Sequence, residues 1–169
     1  MTISIEDQLH GAAISKLIES ISSYSDSIFC NLEQGLSSSI YTLTLYENQS
    51  HKKLKIGIYI KISKKRISPW RYTFDKSHQI EVKNLASSTD GVFVIFVAGL
   101  DGCAVLKYDE LKKLLDDNFD ETEWVSVSRK IRQSYRIDGT DSKKKIILPK
   151  NVFPKKIIDH IKDTIIKTT

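Results

Sequence analysis

Alternating apolar and polar positions mark residues 54–63 as an amphipathic β-strand. Every second residue of this segment, starting at Leu54, is leucine or isoleucine, and Tyr59 and Lys61 lie among the residues between them. Because successive side chains of a strand point to opposite faces, one face is predicted to be core and the other to carry Tyr59 and Lys61 outward. Residues 92–98 (VFVIFVA) are apolar without interruption, which is typical of a central strand covered on both faces.

Apolar residues at intervals of three and four predict four helices. Ser4 and Asp7 resemble a capping box before the first helix, and Asp109 is placed to cap the third. Pro154 is expected to open the last helix, because proline is well tolerated at the first helical position. The predicted helices cover residues 5–22, 77–87 and 108–117 and the residues from Pro154 onward.

Runs rich in β-branched and aromatic residues predict six further strands. Asp101-Gly102 is typical of a hairpin turn, here between the apolar strand at 92–98 and the strand that follows it. The order of elements predicts one α/β domain over residues 1–169, with a mixed β-sheet flanked by helices. The further strands cover residues 27–32, 39–47, 103–107, 124–128, 134–137 and 145–148.

Length and composition indicate a globular protein. A chain of 169 residues is long enough to bury a core as one domain without disulfides or metals. The longest wholly apolar run, residues 91–100, is too short to span a membrane, and the N-terminus lacks the basic and apolar regions of a signal peptide. Cys30 and Cys103 have no metal-ligand spacing and are expected to be reduced. These features predict a cytoplasmic protein without a membrane partner.

Basic residues are concentrated in two segments of the chain. No Asp or Glu occurs between Asn48 and Phe74, whereas eight Lys or Arg do, and residues 124–156 carry ten Lys or Arg against two Asp. Clustered positive charge attracts phosphates without reading a base sequence. The two segments therefore indicate a nucleic-acid partner, although a lysine-rich solvated surface accounts for the same composition.

The sequence contains no complete catalytic motif. The four histidines are scattered, and none has a His, Cys or Asp partner at metal-ligand spacing. No G-x-S-x-G motif is present, and the glycines at 99 and 102 fit a hairpin turn better than a phosphate-binding loop. The sequence therefore predicts neither a metal site nor a cofactor.

The order of helix, three strands, helix and strand, with a lysine late in the third strand, resembles the core of the restriction-endonuclease-like, or PD-(D/E)xK, nucleases. The resemblance covers residues 5–115. In that family an acid-x-lysine triplet occupies the third strand, and Tyr59-Ile60-Lys61 is the matching triplet here. The resemblance implies a restriction-endonuclease-like fold and, where the family's activity is kept, Mg²⁺-dependent hydrolysis of DNA.

Tyr59 stands where the family has a carboxylate. Mg²⁺ needs hard oxygen ligands, which a lysine cannot replace. Glu33 and Glu47 are the nearest carboxylates on the preceding strands, although Glu47 is expected on the opposite face from Lys61 unless a bulge turns it back. The resemblance therefore implies Lys61, Glu33 and Glu47 as catalytic residues if activity persists, and a binding fold without catalysis if it does not.

Three functions are consistent with these observations. The first is a nucleic-acid-binding module whose catalysis is lost or divergent, with Trp70 and Tyr72 either stacking on bases or packing in the core. The second is a protein–protein interaction module or regulatory subunit that self-associates through the acidic segment 116–123, which is otherwise a solvated loop. The third is an Mg²⁺-dependent DNA endonuclease. The candidate phosphate contacts are Lys61, Lys64, Lys65, Arg66, Arg71, Arg129, Lys130 and Arg132, extended by Arg136 and residues 143–145.

Overall fold

The computed structural model describes residues 1–165, which form four helices and nine strands. All but one of these elements fall on segments that the hydrophobic pattern predicts; the exception is the fourth strand. The helices are α1 (Ile5–Tyr24), α2 (Lys76–Ser88), α3 (Tyr108–Leu111) and α4 (Val152–Ile165). The strands are β1 (Ile28–Gln34), β2 (Ile40–Glu47), β3 (Lys53–Ser63), β4 (Trp70–Phe74), β5 (Gly91–Ala98), β6 (Cys103–Lys107), β7 (Glu123–Ser128), β8 (Tyr135–Gly139) and β9 (Ile146–Leu148).

The first sheet has five strands in the order β1-β2-β3-β5-β6. Neighbouring strands are antiparallel except β3 and β5, which are parallel and are joined through β4 and α2. Helix α2 lies against one face, where an added Cβ on Gly57 would meet Leu85 at 2.5 Å. Helix α4 lies against the other face, where the His160 ring stands 5.3 Å from that of Phe93. This mixed sheet covered on both faces confirms the predicted α/β class.

The second sheet has four antiparallel strands in the order β4-β7-β8-β9. Its inner face carries Trp70, Tyr72 and Phe74 of β4, all of them buried. The rings of Tyr72 and Phe74 pack against Phe96 of β5, with centroids 5.0 and 6.2 Å apart. The two sheets therefore share one hydrophobic core.

Strand β3 is buried on both faces, which corrects the expectation that Tyr59 points outward. The Tyr59 side chain is completely buried, and its ring packs 6.4 Å from that of Phe74. Only the N-terminal part of the strand alternates between buried and exposed positions. The period of two in the sequence indicates two chemically different faces, but the second face is covered by α2 and β4 rather than by water.

Three local predictions can be compared with the structure directly. The Ser4–Asp7 capping box is present at the start of α1. Helix α3 is a single turn rather than residues 108–117, and Lys107, not Asp109, occupies its N-cap position. Helix α4 is assigned from Val152, but Phe153 is extended (φ −101°, ψ 134°), so the continuous helix begins at Pro154 as predicted.

The close approach of α2 to β3 predicts opposite effects for two glycine substitutions. Gly57→Ala places a methyl group inside contact distance of Leu85, and such overpacking is expected to lower the free energy of unfolding by about 1–3 kcal/mol. Gly11→Ala, in the exposed middle of α1 with no atom within 4 Å, is expected to raise it by about 0.5–1 kcal/mol. Urea denaturation of both variants checks the pair, and equal stability of the two would contradict the packing of α2 on β3.

Candidate nucleic-acid interface and the cluster around Lys61

Five ionisable side chains meet where the C-terminal half of β3 faces the N-terminus of α2. We call this group the Lys61 cluster. The Tyr59 hydroxyl donates a hydrogen bond to Glu81 Oε2 at 3.0 Å, and the Lys61 ammonium stands 5.1 Å from the centre of the Phe74 ring. The members of the Lys61 cluster are Tyr59, Lys61, Asp75, His78 and Glu81.

Burial is the main influence on the Lys61 ammonium. It lowers the pKa of Lys61 to about 8, and the nearby carboxylates of Asp75 and Glu81 oppose this only in part. Burial also lowers the pKa of His78, with a further contribution from the positive charge of Lys61. The cluster therefore contains two bases that lose their protons more readily than the same groups do in water.

The carboxylates of the Lys61 cluster are already used by the fold. Asp75 caps α2 by accepting hydrogen bonds from the His78 backbone N–H and the Ser77 hydroxyl. Glu81 accepts the hydrogen bond from Tyr59. Among residues 1–165, the one group of three carboxylate, imidazole or thiolate ligands close enough to hold a metal lies elsewhere, at Asp116, Glu123 and Asp141. The Lys61 cluster thus offers acid–base groups without a ready three-ligand metal site.

Glu33 and Glu47 lie far from Lys61. Glu33 pairs with Thr42, which pairs with Gly57, and two strand spacings and four residues separate Glu33 from Lys61 by about 16 Å. Glu47 lies at the opposite end of the sheet, on the order of 30 Å away along the strand direction, because its N–H bonds the carbonyl of Lys52. The Glu47 carboxylate accepts hydrogen bonds from the backbone N–H groups of residues 49 and 50. Hydrogen bonds in this turn lower the pKa of Glu47 to about 2. The registers therefore do not bring the two predicted carboxylates to the lysine.

Trp70 and Tyr72 are not available for base stacking. Their side chains are 2% and 3% exposed, and both polar groups are satisfied inside the protein. The Trp70 indole N–H donates to the carbonyl of Lys65, and the Tyr72 hydroxyl donates to the carbonyl of Val97, each at 2.9 Å. Of the two interpretations, core packing is the one that the structure supports.

Arg129 is an internal anchor rather than a free phosphate contact. Its guanidinium is paired with the carboxylate of Asp101, which also accepts the Tyr135 hydroxyl at 2.9 Å. These contacts hold the Asp101-Gly102 turn of the first sheet against the second sheet. The hydrogen bond from Arg129 lowers the pKa of the Asp101 carboxyl. Burial raises this pKa, but by less, so the pKa stays below its usual range.

The solvent-exposed side of the second sheet, which we call the outer face, carries two exposed arginines, Arg71 and Arg136. The Arg71 guanidinium lies 4.3 Å from the centre of the half-buried Trp124 ring, within cation–π distance. Arg71 pairs across the strands with Ser126, and Arg136 pairs with Ser128. The outer face consists of Arg71, Thr73, Trp124, Ser126, Ser128, Arg136, Asp138 and Ile147.

One carboxylate interrupts the outer face. Asp138 accepts hydrogen bonds from the Ser142 hydroxyl and the Gly139 N–H, and lies 3.7 Å from the Lys145 ammonium. The hydrogen bond from the Ser142 hydroxyl makes the largest contribution to lowering the pKa of Asp138. Its charge is therefore engaged locally, while the Arg71 and Arg136 guanidinium groups have no carboxylate partner within the described residues.

A second group of cations borders the outer face at one end. The loop after β3 and the loop after β7 meet there, and the Arg129 backbone N–H donates to the Ser68 hydroxyl at 3.0 Å. This contact brings together four exposed cations, which we call the basic end: Lys65, Arg66, Lys130 and Arg132. Lys64, by contrast, forms an ion pair with Glu6 at 3.1 Å. Basic residues from two distant segments thus form one border.

The acidic segment 116–123 is partly used inside the protein. Asp120 forms an ion pair with Lys76 at 2.6 Å, and the Lys83 ammonium stands 5.2 Å from the centre of the Phe119 ring. Glu123, at its end, is buried as the first residue of β7. These contacts fasten the segment to α2 and leave a smaller acidic surface for a second copy of the chain than the sequence suggests.

Trp124 and the serines beside it are partly exposed residues of the outer face that the sequence interpretation did not include among its candidates. Residues 123–128 (EWVSVS) alternate strictly, and their burial alternates in the same way. The pattern was sufficient to predict that Trp124, Ser126 and Ser128 share one face. It did not reveal which face would be solvent, because that depends on how the second sheet packs.

Comparison with protein families, with curated proteins and with solved structures finds no match for this chain. Within residues 1–165, no helix is both long and apolar enough to cross a membrane. One fold carries many activities, so the residues of a site, and not the fold, decide which function is proposed.

The desolvation of Lys61 predicts a pH-dependent effect of its removal. Between about pH 8 and pH 10.5, the unfolded chain holds the Lys61 proton while the folded protein releases it, so this lysine makes the free energy of unfolding rise with pH there. Below pH 8 the buried charge is fully destabilising, and Lys61→Met is expected to stabilise the protein at pH 7 by about 1–2 kcal/mol.

Urea denaturation at pH 7 and pH 10 measures the difference between variant and wild type. The advantage of Lys61→Met is expected to shrink as the pH rises. Lys55→Met is the control, since Lys55 lies on the same face of β3 but is exposed. An equal effect of the two substitutions at both pH values would show that Lys61 is not desolvated.

Proposed function

We propose that the protein binds single-stranded nucleic acid on the outer face of its second sheet and does not cut it. The observation that carries this proposal is the pairing of Arg71 with Trp124 on a solvent-exposed face of the sheet, beside Arg136. A guanidinium plane or an aromatic ring accepts any stacked base, and cations beside it hold the phosphates. Stacking and charge occur together here, on one continuous surface.

The shape of the surface favours a single strand over a duplex. Reading a duplex requires an element that enters a groove, such as a helix or a protruding ribbon. The outer face is instead formed by exposed and partly exposed residues within β4, β7 and β8, where Ser126 pairs with Arg71 and Ser128 pairs with Arg136. An unpaired strand can lie along such a surface with its bases splayed.

The Lys61 cluster supports binding without hydrolysis. Metal-assisted cleavage of a phosphodiester needs oxygen ligands that hold Mg²⁺ beside the scissile phosphate. The Tyr59 phenol occupies the position that a carboxylate takes in the restriction-endonuclease-like pattern, and it is bonded to Glu81. Loss of catalysis with retention of a binding surface fits the resemblance in the sequence better than an active Mg²⁺-dependent endonuclease does.

Binding is expected to weaken steeply with salt. Fluorescence anisotropy of labelled single-stranded DNA and RNA oligonucleotides, measured at several salt concentrations, gives the slope of log affinity against log salt. With three to five phosphates held by the outer face and the basic end, this slope is expected to lie between about −2 and −4. Arg71→Gln and Arg136→Gln are each expected to weaken binding several-fold and to reduce the slope by about 0.7.

Lys16→Gln is the matched control, because Lys16 is an exposed lysine on α1, paired with Glu19 and far along the chain from the outer face. It is expected to leave both affinity and slope unchanged. Absence of binding at low salt, or equal weakening by Lys16→Gln and Arg71→Gln, would reject the interface. Cleavage of the oligonucleotide with Mg²⁺, abolished by Lys61→Ala, would favour the endonuclease instead.

The two tryptophans allow stacking to be observed directly. Trp124 is half-buried at the outer face and Trp70 is buried, and the chain has no other tryptophan. Titration with an unlabelled oligonucleotide is expected to quench tryptophan fluorescence in the wild type and in Trp70→Phe, but not in Trp124→Phe. Quenching that persists in Trp124→Phe would place the bound strand away from the outer face.

A further inference from the structure

We propose that Asp116, Glu123 and Asp141 bind a hard divalent cation, of the class of Ca²⁺, Mg²⁺ or Mn²⁺, at one end of the second sheet. A carboxylate oxygen of each residue lies within 4.8 Å of a carboxylate oxygen of each of the others. We call these three residues the acidic trio. The proposal is independent of nucleic-acid binding, since none of the three belongs to the outer face or to the basic end.

The backbone holds the acidic trio in place without a ligand. Asp116 follows α3, Glu123 opens β7 and Asp141 follows β8. The Asp141 N–H donates to the carbonyl of Leu114 at 3.0 Å, and an added Cβ on Gly139 would meet that carbonyl oxygen at 2.5 Å. The loop after α3 is therefore packed against the end of β8, and the three carboxylates converge because three segments converge.

Glu123 gives an independent indication that the acidic trio takes a ligand. Its side chain is 2% exposed, and its Oε2 atom has no hydrogen-bond partner among the described residues. Its Oε1 atom accepts only a long hydrogen bond, 3.3 Å, from the backbone N–H of Asp116. A buried carboxylate oxygen without a partner is costly, and a bound cation removes that cost.

The electrostatics of the acidic trio point the same way. Burial raises the pKa of Glu123 to about 7, and the close side-chain contact with Asp116, followed by the charges of Asp116 and Asp141, adds to this effect. Within the described residues, neither Asp116 nor Asp141 forms an ion pair. The three carboxylates therefore concentrate negative charge in one place, and an ion able to coordinate all three compensates more of this charge than one proton does.

The donor atoms define the class of ion. All three side chains offer carboxylate oxygens, and no histidine or cysteine belongs to the group. Oxygen ligands suit Ca²⁺, Mg²⁺ and Mn²⁺ and disfavour softer ions such as Cu⁺. Exposed lysines at 143–145 line the same depression as Asp116 and Asp141. Their solvated ammonium groups compete with the ion for the negative charge of these carboxylates.

The test is a calorimetric titration of Ca²⁺, Mg²⁺ and Mn²⁺ into the full chain after treatment with a chelator. We expect saturable binding of one ion per chain, with an accompanying rise in the thermal midpoint. Glu123→Gln keeps the shape of the protonated side chain, and Asp141→Asn changes an exposed position. Both are expected to fold and to lose binding. Asp117→Asn, an exposed neighbour outside the trio, is expected to bind the ion as the wild type does.

Terbium luminescence places the ion. Trp124 directly follows Glu123, so Tb³⁺ bound at the acidic trio is expected to emit when the indole is excited, and added Ca²⁺ is expected to displace it. Circular dichroism confirms that each variant is folded. No binding of any of the three divalent ions, or binding that survives both Glu123→Gln and Asp141→Asn, would overturn the proposal and leave a proton on Glu123 as the explanation of its environment.

Discussion

The packing of β4 onto β5 is the contact on which the rest of the structure depends. The Tyr72 ring lies 5.0 Å from that of Phe96, and the Tyr72 hydroxyl bonds the Val97 carbonyl from the neighbouring sheet. The chain leaves the first sheet after β3, contributes β4 to the second sheet and returns through α2 to form β5. Because the inner side chains of β4 must bury themselves on the first sheet, Arg71 and Thr73 must face water.

The same contact explains why the outer face and the nuclease-like lysine are separated. Phe74, at the end of β4, lies close to both Tyr59 and Lys61, so β4 covers the part of β3 where the resemblance places catalysis. Covering this surface desolvates Lys61 and lowers its pKa. It also presents a new surface, the outer face, that a single sheet would not have. Arg71 and Arg136 of the second sheet therefore lie on a different surface from Lys61.

The sequence predicted most elements because their patterns are local. The alternation in β3 and the apolar run in β5 are visible within ten residues, and both segments are strands of the first sheet. Strand β4 was missed although Trp70, Tyr72 and Phe74 also alternate, because five residues between a basic loop and a helix give a weak signal. Its partner β7 begins about fifty residues later, and no local pattern identifies a partner at that distance.

The site was harder to predict than the fold, because distances across a sheet depend on register. The parity argument for Glu47 was sufficient to expect it on the face opposite Lys61, but only the pairing of β2 with β3 shows that it lies at the other end of the sheet. Glu123, Asp116 and Asp141 belong to three separate segments, and nothing in their spacing announces that their carboxylates meet. A single sequence therefore indicates which residues share one face of a strand or helix, but it does not indicate which residues of separate segments come together in space.

The distribution of charge along the second sheet favours one orientation of the proposed nucleic-acid strand. Glu123 opens β7 beside the acidic trio, and Ser128 ends it beside the basic end, so the two ends lie about 17 Å apart along the strand. A phosphate backbone is attracted to the basic end, whereas at the other end the acidic trio opposes the attraction of the exposed lysines at 143–145 unless an ion neutralises it. Arg71 and Trp124 lie between the two ends. The electrostatic field therefore favours a strand that crosses the sheet at Arg71 and Arg136 and leaves over the basic end, and an occupied cation site would relax that preference by reducing the repulsion beyond Trp124.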